Sequence, residues 1–168
     1  MLGDNTMIAD YLYIACESEY YTKPDWQDWA DRQILAKSQV EYWIYDVSLA
    51  KDIVELGTAV CEKRMEERYY AENNFSPSDT TVGYYYLQFI ENRLSLRDII
   101  NKLSYEDDPA NTSSIHYGVS FYDIWKEVYA DEKQLENPTL IQKITRLCEP
   151  YKHIALKQLE QLELYSYE

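Results

Sequence analysis

The sequence predicts an all-α protein, a single-domain bundle of about seven to eight helices over residues 1–168. Three observations predict it. Apolar residues recur at intervals of three and four along nearly the whole chain. Glycine and proline are sparse, 4 and 5 in 168 residues, so little interrupts those intervals. No segment alternates polar and apolar residues as a half-buried strand does, and no repeat of fixed period is present. A chain of this length, 46% hydrophobic, can bury a core without disulfides or metals.

Each element follows from its own signals. Ile8, Tyr11, Leu12 and Ala15 fall at i, i+3, i+4 and i+7 and predict a first helix over about residues 6–20. In "YYTKPDWQDWADRQI" (20–34), Pro24 marks a helix start, and Asp25 and Asp28 lie in the first turn, where they complement the helix dipole. Trp26, Trp29, Ala30 and Ile34 form its apolar stripe and are expected in the core. A short helical turn holds Trp43 and Ile44. Ser48 is then expected to cap a longer helix that turns Leu49, Ile53, Leu56, Val60 and Arg64 or Met65 inward.

The stretch "NNFSPSD" (73–79) reads as a loop, followed by a helix carrying Val82, Tyr86, Phe89, Ile90 and Leu94. Ser95 and Asp98 form a capping box for the next helix. A second polar loop, 106–114, precedes a helix with Val119, Tyr122, Ile124, Trp125 and Val128. Asn137 and Pro138 open another, with Leu140, Ile141, Ile144 and Leu147 inward. Pro150 is expected to split that helix from a last one ending near Tyr165, because an internal proline costs about 3 kcal/mol.

The charge narrows the function. Thirty acidic residues against 16 basic give −14, and residues 1–50 and 106–136 each carry a net −6. Such a field repels nucleic acid and anionic lipid and speeds encounter with basic proteins. "EKRMEERYY" (62–70) matches its three bases with three acids, which argues against direct nucleic-acid binding. No run approaches the length and apolarity of a membrane helix, and "MLGDNTMIADY" lacks the basic and apolar regions of a signal peptide. Cys16, Cys61 and Cys148 are widely spaced and odd in number, which predicts reduced thiols and a cytoplasmic location.

Catalytic parts are few. Neither His116 nor His153 follows a glutamate by three residues, and no two cysteines or histidines share ligand spacing, so neither a metal nor any other cofactor is expected. Gly3, Gly57, Gly83 and Gly118 are isolated, which excludes a glycine-rich phosphate loop. Cys148 and His153 flank Pro150 and are read as a core cysteine and a surface histidine rather than a nucleophile and its base.

The remaining candidates are surface groups. Glu17, Glu19, Tyr20, Asp25 and Asp28, with Tyr21, Trp26 and Asp31 among them, form one acidic, aromatic cluster if the first two helices make a hairpin. Glu106, Asp107 and Asp108, followed by Asp123, Glu127, Asp131 and Glu132, form a second. Carboxylates beside tyrosines suit a partner rich in lysine and arginine, because the rings supply contact area and the acids steer and pair.

An acidic, helical small protein with no catalytic motif, carrying segments such as "WQDWADRQI" and "YWIYDVSLAKD", resembles in type the immunity proteins that accompany bacterial toxins, including those of contact-dependent growth inhibition systems. The resemblance implies a non-enzymatic inhibitor that binds a basic toxin domain, often a nuclease, and it carries over no residue. A nucleic-acid mimic is a variant of this reading. The alternative from another class is a small-molecule-binding or enzymatic bundle with a tyrosine-lined pocket at Tyr84, Tyr85 and Tyr86.

Overall fold

A computed structural model describes residues 7–71, 76–106 and 120–167. The fold is all-α. Among the described residues there are eight α-helices and no strand: α1 (Ile8–Glu17), α2 (Lys23–Ala36), α3 (Tyr42–Leu49), α4 (Ile53–Tyr70), α5 (Pro77–Ile90), α6 (Leu96–Leu103), α7 (Phe121–Ala130) and α8 (Pro138–Leu164). None of these helices is long and apolar enough to cross a membrane. The sequence reading treats the chain as one domain. Its contacts gather into two compact units, residues 1–75 with 157–168, and residues 76–156.

In the first unit α2 packs on α3, and α4 packs on both α1 and α3. Thr22 donates its backbone N–H to the Asp25 carboxylate at 2.7 Å, which fixes the start of α2 and so the phase of its stripe. That phase buries Trp26, Trp29 and Ala30, as the spacing predicted. Trp29, fully buried, stacks on Trp43 and Tyr165 with ring centroids 5.9 and 6.0 Å away and donates its indole N–H to the Leu162 carbonyl at 3.0 Å. Leu12, Ile44, Val47, Leu56 and Val60 complete this core.

Two expectations about α3 and α4 are corrected. Ser48 lies inside α3 and caps nothing; its hydroxyl bonds the Asp31 carboxylate. The break falls at Ala50, whose backbone is extended, and Asp52 caps α4 by accepting the Glu55 N–H at 2.8 Å. An aspartate just outside the helix is the better acceptor for the free N–H groups of the first turn. Consequently Leu49 is not inward: it is 73% exposed.

The second unit is built around Val82, Tyr86, Ile99, Ile100, Phe121, Ile124, Ile144, Cys148 and Tyr151. Ser95 and Asp98 cap α6 reciprocally, as predicted, and Asn137 accepts the Thr139 N–H at the start of α8. On α5, Tyr84 is fully buried, and Tyr86, on the apolar stripe, is buried too and donates its hydroxyl to Glu149 at 2.8 Å. Val119, the expected start of α7, lies outside the described residues; Ser120 caps that helix.

Pro150 does not split α8. The helix runs through it from Pro138 to Leu164, its residues 138–156 in the second unit and 157–164 in the first. Proline removes one N–H from the ladder, but Cys148, Tyr151 and Ala155 on either side are buried, and their packing outweighs that local loss.

Gly83 shows how closely α5 and α8 approach. A Cβ there would overlap the backbone carbonyl oxygen of Tyr151 and lie 2.9 Å from the Ala155 Cβ. Backbone cannot rotate away as a side-chain end can. Gly83→Ala is expected to destabilise the protein by about 3 kcal/mol, read as a lowered midpoint in urea unfolding.

Candidate functional site

The first acidic cluster is on the surface, but several of its members already have local tasks. Asp25, exposed, is the cap partner of Thr22. Asp28 receives Arg32 at 3.1 Å, and Arg32 in turn pairs with Glu163 at 2.8 Å. Glu17 is exposed at the end of α1, and Glu19 sits in the left-handed region (φ 64°) of the turn that follows. Tyr20 is half-buried and stacks on Tyr21 at 6.2 Å. In the second cluster, Glu106 is half-buried and accepts the Ser78 hydroxyl at 2.8 Å. Asp107, Asp108 and His116 lie outside the described residues. Of the later members, Asp123 pairs with Lys126 at 2.9 Å and Glu132 with Arg97 at 2.8 Å.

The surface that sequence reasoning missed lies on α3 and α4. Periodicity placed Leu56 and Val60 inward, as observed, but both helices also carry apolar residues on the opposite face, which an inward stripe does not account for. On α3, Trp43, Ile44 and Val47 are buried, while Tyr42, Tyr45, Asp46 and Leu49, at i, i+3, i+4 and i+7, face out. On α4, Leu56 and Val60 face in while Val54 is 74% exposed. Asp46, Leu49, Ala50, Val54, Glu55, Thr58 and Ala59 line a shallow groove of about 360 Å³ between the two helices. Asp31 reaches this face through its bond to Ser48, and Gln27 donates to the Ser48 carbonyl at 3.2 Å, so the acidic side of α2 is continuous with it.

The inward side of α4 carries charge. Asp10 on α1 is fully buried and receives Arg64 Nε at 2.6 Å and Arg68 Nε at 2.8 Å. The Arg64 guanidinium also lies 3.8 Å from the centre of the Tyr13 ring. Between the two arginines Glu67 turns to the start of α1 and accepts the backbone N–H groups of Ala9 and Asp10 at 2.9 and 3.1 Å. It acts as an N-cap from another helix. Burial nevertheless pushes the Glu67 carboxyl up to about 7, those two N–H groups notwithstanding.

Glu67 also lines a cleft of about 280 Å³ with Glu41, Trp43, Lys63, Glu66 and Tyr70 among its walls. Lys63 is held there by Glu41 at 3.0 Å and Glu66 at 3.6 Å. Among the described residues no group of three or more histidine, cysteine or carboxylate side chains is placed to hold a metal ion. Cys148 is fully buried, with burial pushing its thiol up to about 12, whereas His153 is exposed. This bears out the core-cysteine, surface-histidine reading.

Two outcomes are expected here. Asp10→Ala strands two guanidiniums against a buried site and should cost about 3 kcal/mol, measured by chemical denaturation. Glu67 gives a pH signature. Its folded value of about 7 lies above its ordinary 4.5, so between those values the folded chain holds a proton that the unfolded chain releases. Stability therefore falls as pH rises through this window, by roughly 1–2 kcal/mol once the solvent-facing part of the group is allowed for. In Glu67→Gln, urea midpoints across that range should lose this slope; an unchanged slope would assign it to another group. No family model, curated protein or solved structure matches the chain.

Proposed function

We propose that this chain is a non-enzymatic binding protein that neutralises a basic partner, with a toxin domain of nuclease type as the partner its charge fits best. One observation carries the reading: α3 and α4 turn Tyr42, Tyr45, Leu49 and Val54 to solvent beside Asp46, Asp52 and Glu55. Exposed rings and aliphatic chains gain by losing water on contact. The carboxylates around them speed encounter with a cationic surface, and the net charge of −14 extends that attraction beyond the patch. A nuclease has to be basic where it holds phosphate, so an acidic protein competes for that surface. Glu17, Glu19, Asp25, Asp28 and Glu106 belong to the same field, where they steer more than they anchor. A reduced, cytoplasmic setting fits three free cysteines, of which Cys61 is exposed.

A second reading has one observation in its favour. The cleft at Glu67 joins a carboxyl that titrates near neutrality to a lysine and aromatic walls, a combination that suits a small ligand.

Calorimetry of the full chain with the protein encoded beside it, at low and at high salt, tests the first reading. Nanomolar binding that weakens with salt is expected. Leu49→Asp should weaken it at least about tenfold, the loss of one central anchor, while Asp25→Lys should mainly slow association. No binding at either salt sinks the proposal. A thermal-shift screen in which small ligands stabilise the native protein but not Glu67→Gln would favour the second reading instead.

A further inference from the structure

We propose that the outward face of α4 is a docking surface for an amphipathic, basic helix of the partner; this rests on the protein-binding reading above. Val54, Thr58, Cys61, Met65 and Tyr69 are separated by four, three, four and four residues and so fall on one line of the helix. All five are exposed, Val54 by 74%, Met65 by 67% and Tyr69 by 82%. At 1.5 Å per residue the line is about 22 Å long, the footprint of a helical ligand with anchors on successive turns. At its start it meets the groove that holds Leu49.

Charge identifies the occupant. Glu55, Glu62 and Glu66 run beside this line on one flank, and all three are exposed. The cations of α4 are directed elsewhere: Arg64 and Arg68 to Asp10, Lys63 to Glu41 and Glu66. The face is therefore apolar with an acidic edge, complementary to a helix with an apolar stripe and a lysine- or arginine-rich edge. A second copy fits poorly. An antiparallel copy would set the three glutamates against themselves, in a chain that already carries −14.

Cys61 stands in the middle of the line, exposed, whereas Cys16 and Cys148 are buried. Its alkylation rate in the native full chain therefore reports on cover at this face. The probes are two synthetic amphipathic helical peptides with the same leucine stripe, one with a lysine- and arginine-rich edge and one with a glutamate edge. The basic peptide is expected to bind and to slow Cys61 alkylation at least about tenfold, and the acidic one to do neither. Met65→Asp, an exposed position whose folding is checked by circular dichroism, should weaken the basic peptide at least about tenfold. Glu62→Lys should weaken the basic peptide and admit the acidic one.

The same alkylation assay with the protein encoded beside the chain separates the two levels of the argument. If that protein binds while Cys61 stays reactive and Met65→Asp has no effect, the docking face is wrong and the broader reading stands. If it does not bind, the broader reading fails with it. A concentration-dependent dimer of the chain alone that protects Cys61 overturns the inference in favour of self-association.

Discussion

The buried carboxylate of Asp10 sets the register on which the first unit's surface depends. It sits on α1, fully removed from solvent, and such a charge is tolerated only when it is paired. Its partners, Arg64 and Arg68, lie one turn apart on α4, and Glu67 between them returns a carboxylate to the first backbone N–H groups of α1. The exchange is reciprocal. α1 supplies an anion to two guanidiniums, and α4 supplies an anion to a helix N-terminus. Once those contacts are made, α4 cannot rotate about its axis.

That fixed rotation has a cost on the opposite side. With Leu56, Val60, Arg64 and Glu67 turned inward, Val54, Cys61, Met65 and Tyr69 must turn outward. α3 behaves likewise, because Trp43 is committed to its stack with Trp29, and Tyr42, Tyr45 and Leu49 are left in water. Apolar faces held in solvent by polar contacts behind them are difficult to explain by folding alone. Such faces are what the proposed binding role would use. The surrounding carboxylates give that face a negative sign.

The second unit contrasts with this. Its core is built on a large apolar cluster, its helix starts are capped by Ser76, Ser95 and Ser120, and α5 approaches α8 at Gly83 too closely for a Cβ. Its acidic residues, such as Asp123 and Glu132, are paired with nearby cations.

The all-α class, the caps at Ser95 with Asp98 and at Asn137, the placing of Asp25 in the first turn of α2, and the burial of Trp26 and Trp29 were legible along the chain. So was the strongly acidic field. These are local or summed properties: a cap acts over three residues, a stripe over a few turns, and net charge over no particular geometry. Tertiary structure decided the rest. Leu49 was legible as an inward residue only if the longer helix began at Ser48, and the Asp52 cap starts it later and leaves Leu49 at the end of α3. Pro150 reads as a stop signal, yet burial on both of its sides carries the helix through. Asp10 and Arg68 are 58 residues apart, and nothing in either neighbourhood announces the pair. The pattern along α4 placed Leu56 and Val60 inward, as observed, but left Arg64 and Met65 as alternatives; the long-range contact with Asp10 turns Arg64 in and leaves Met65 in solvent.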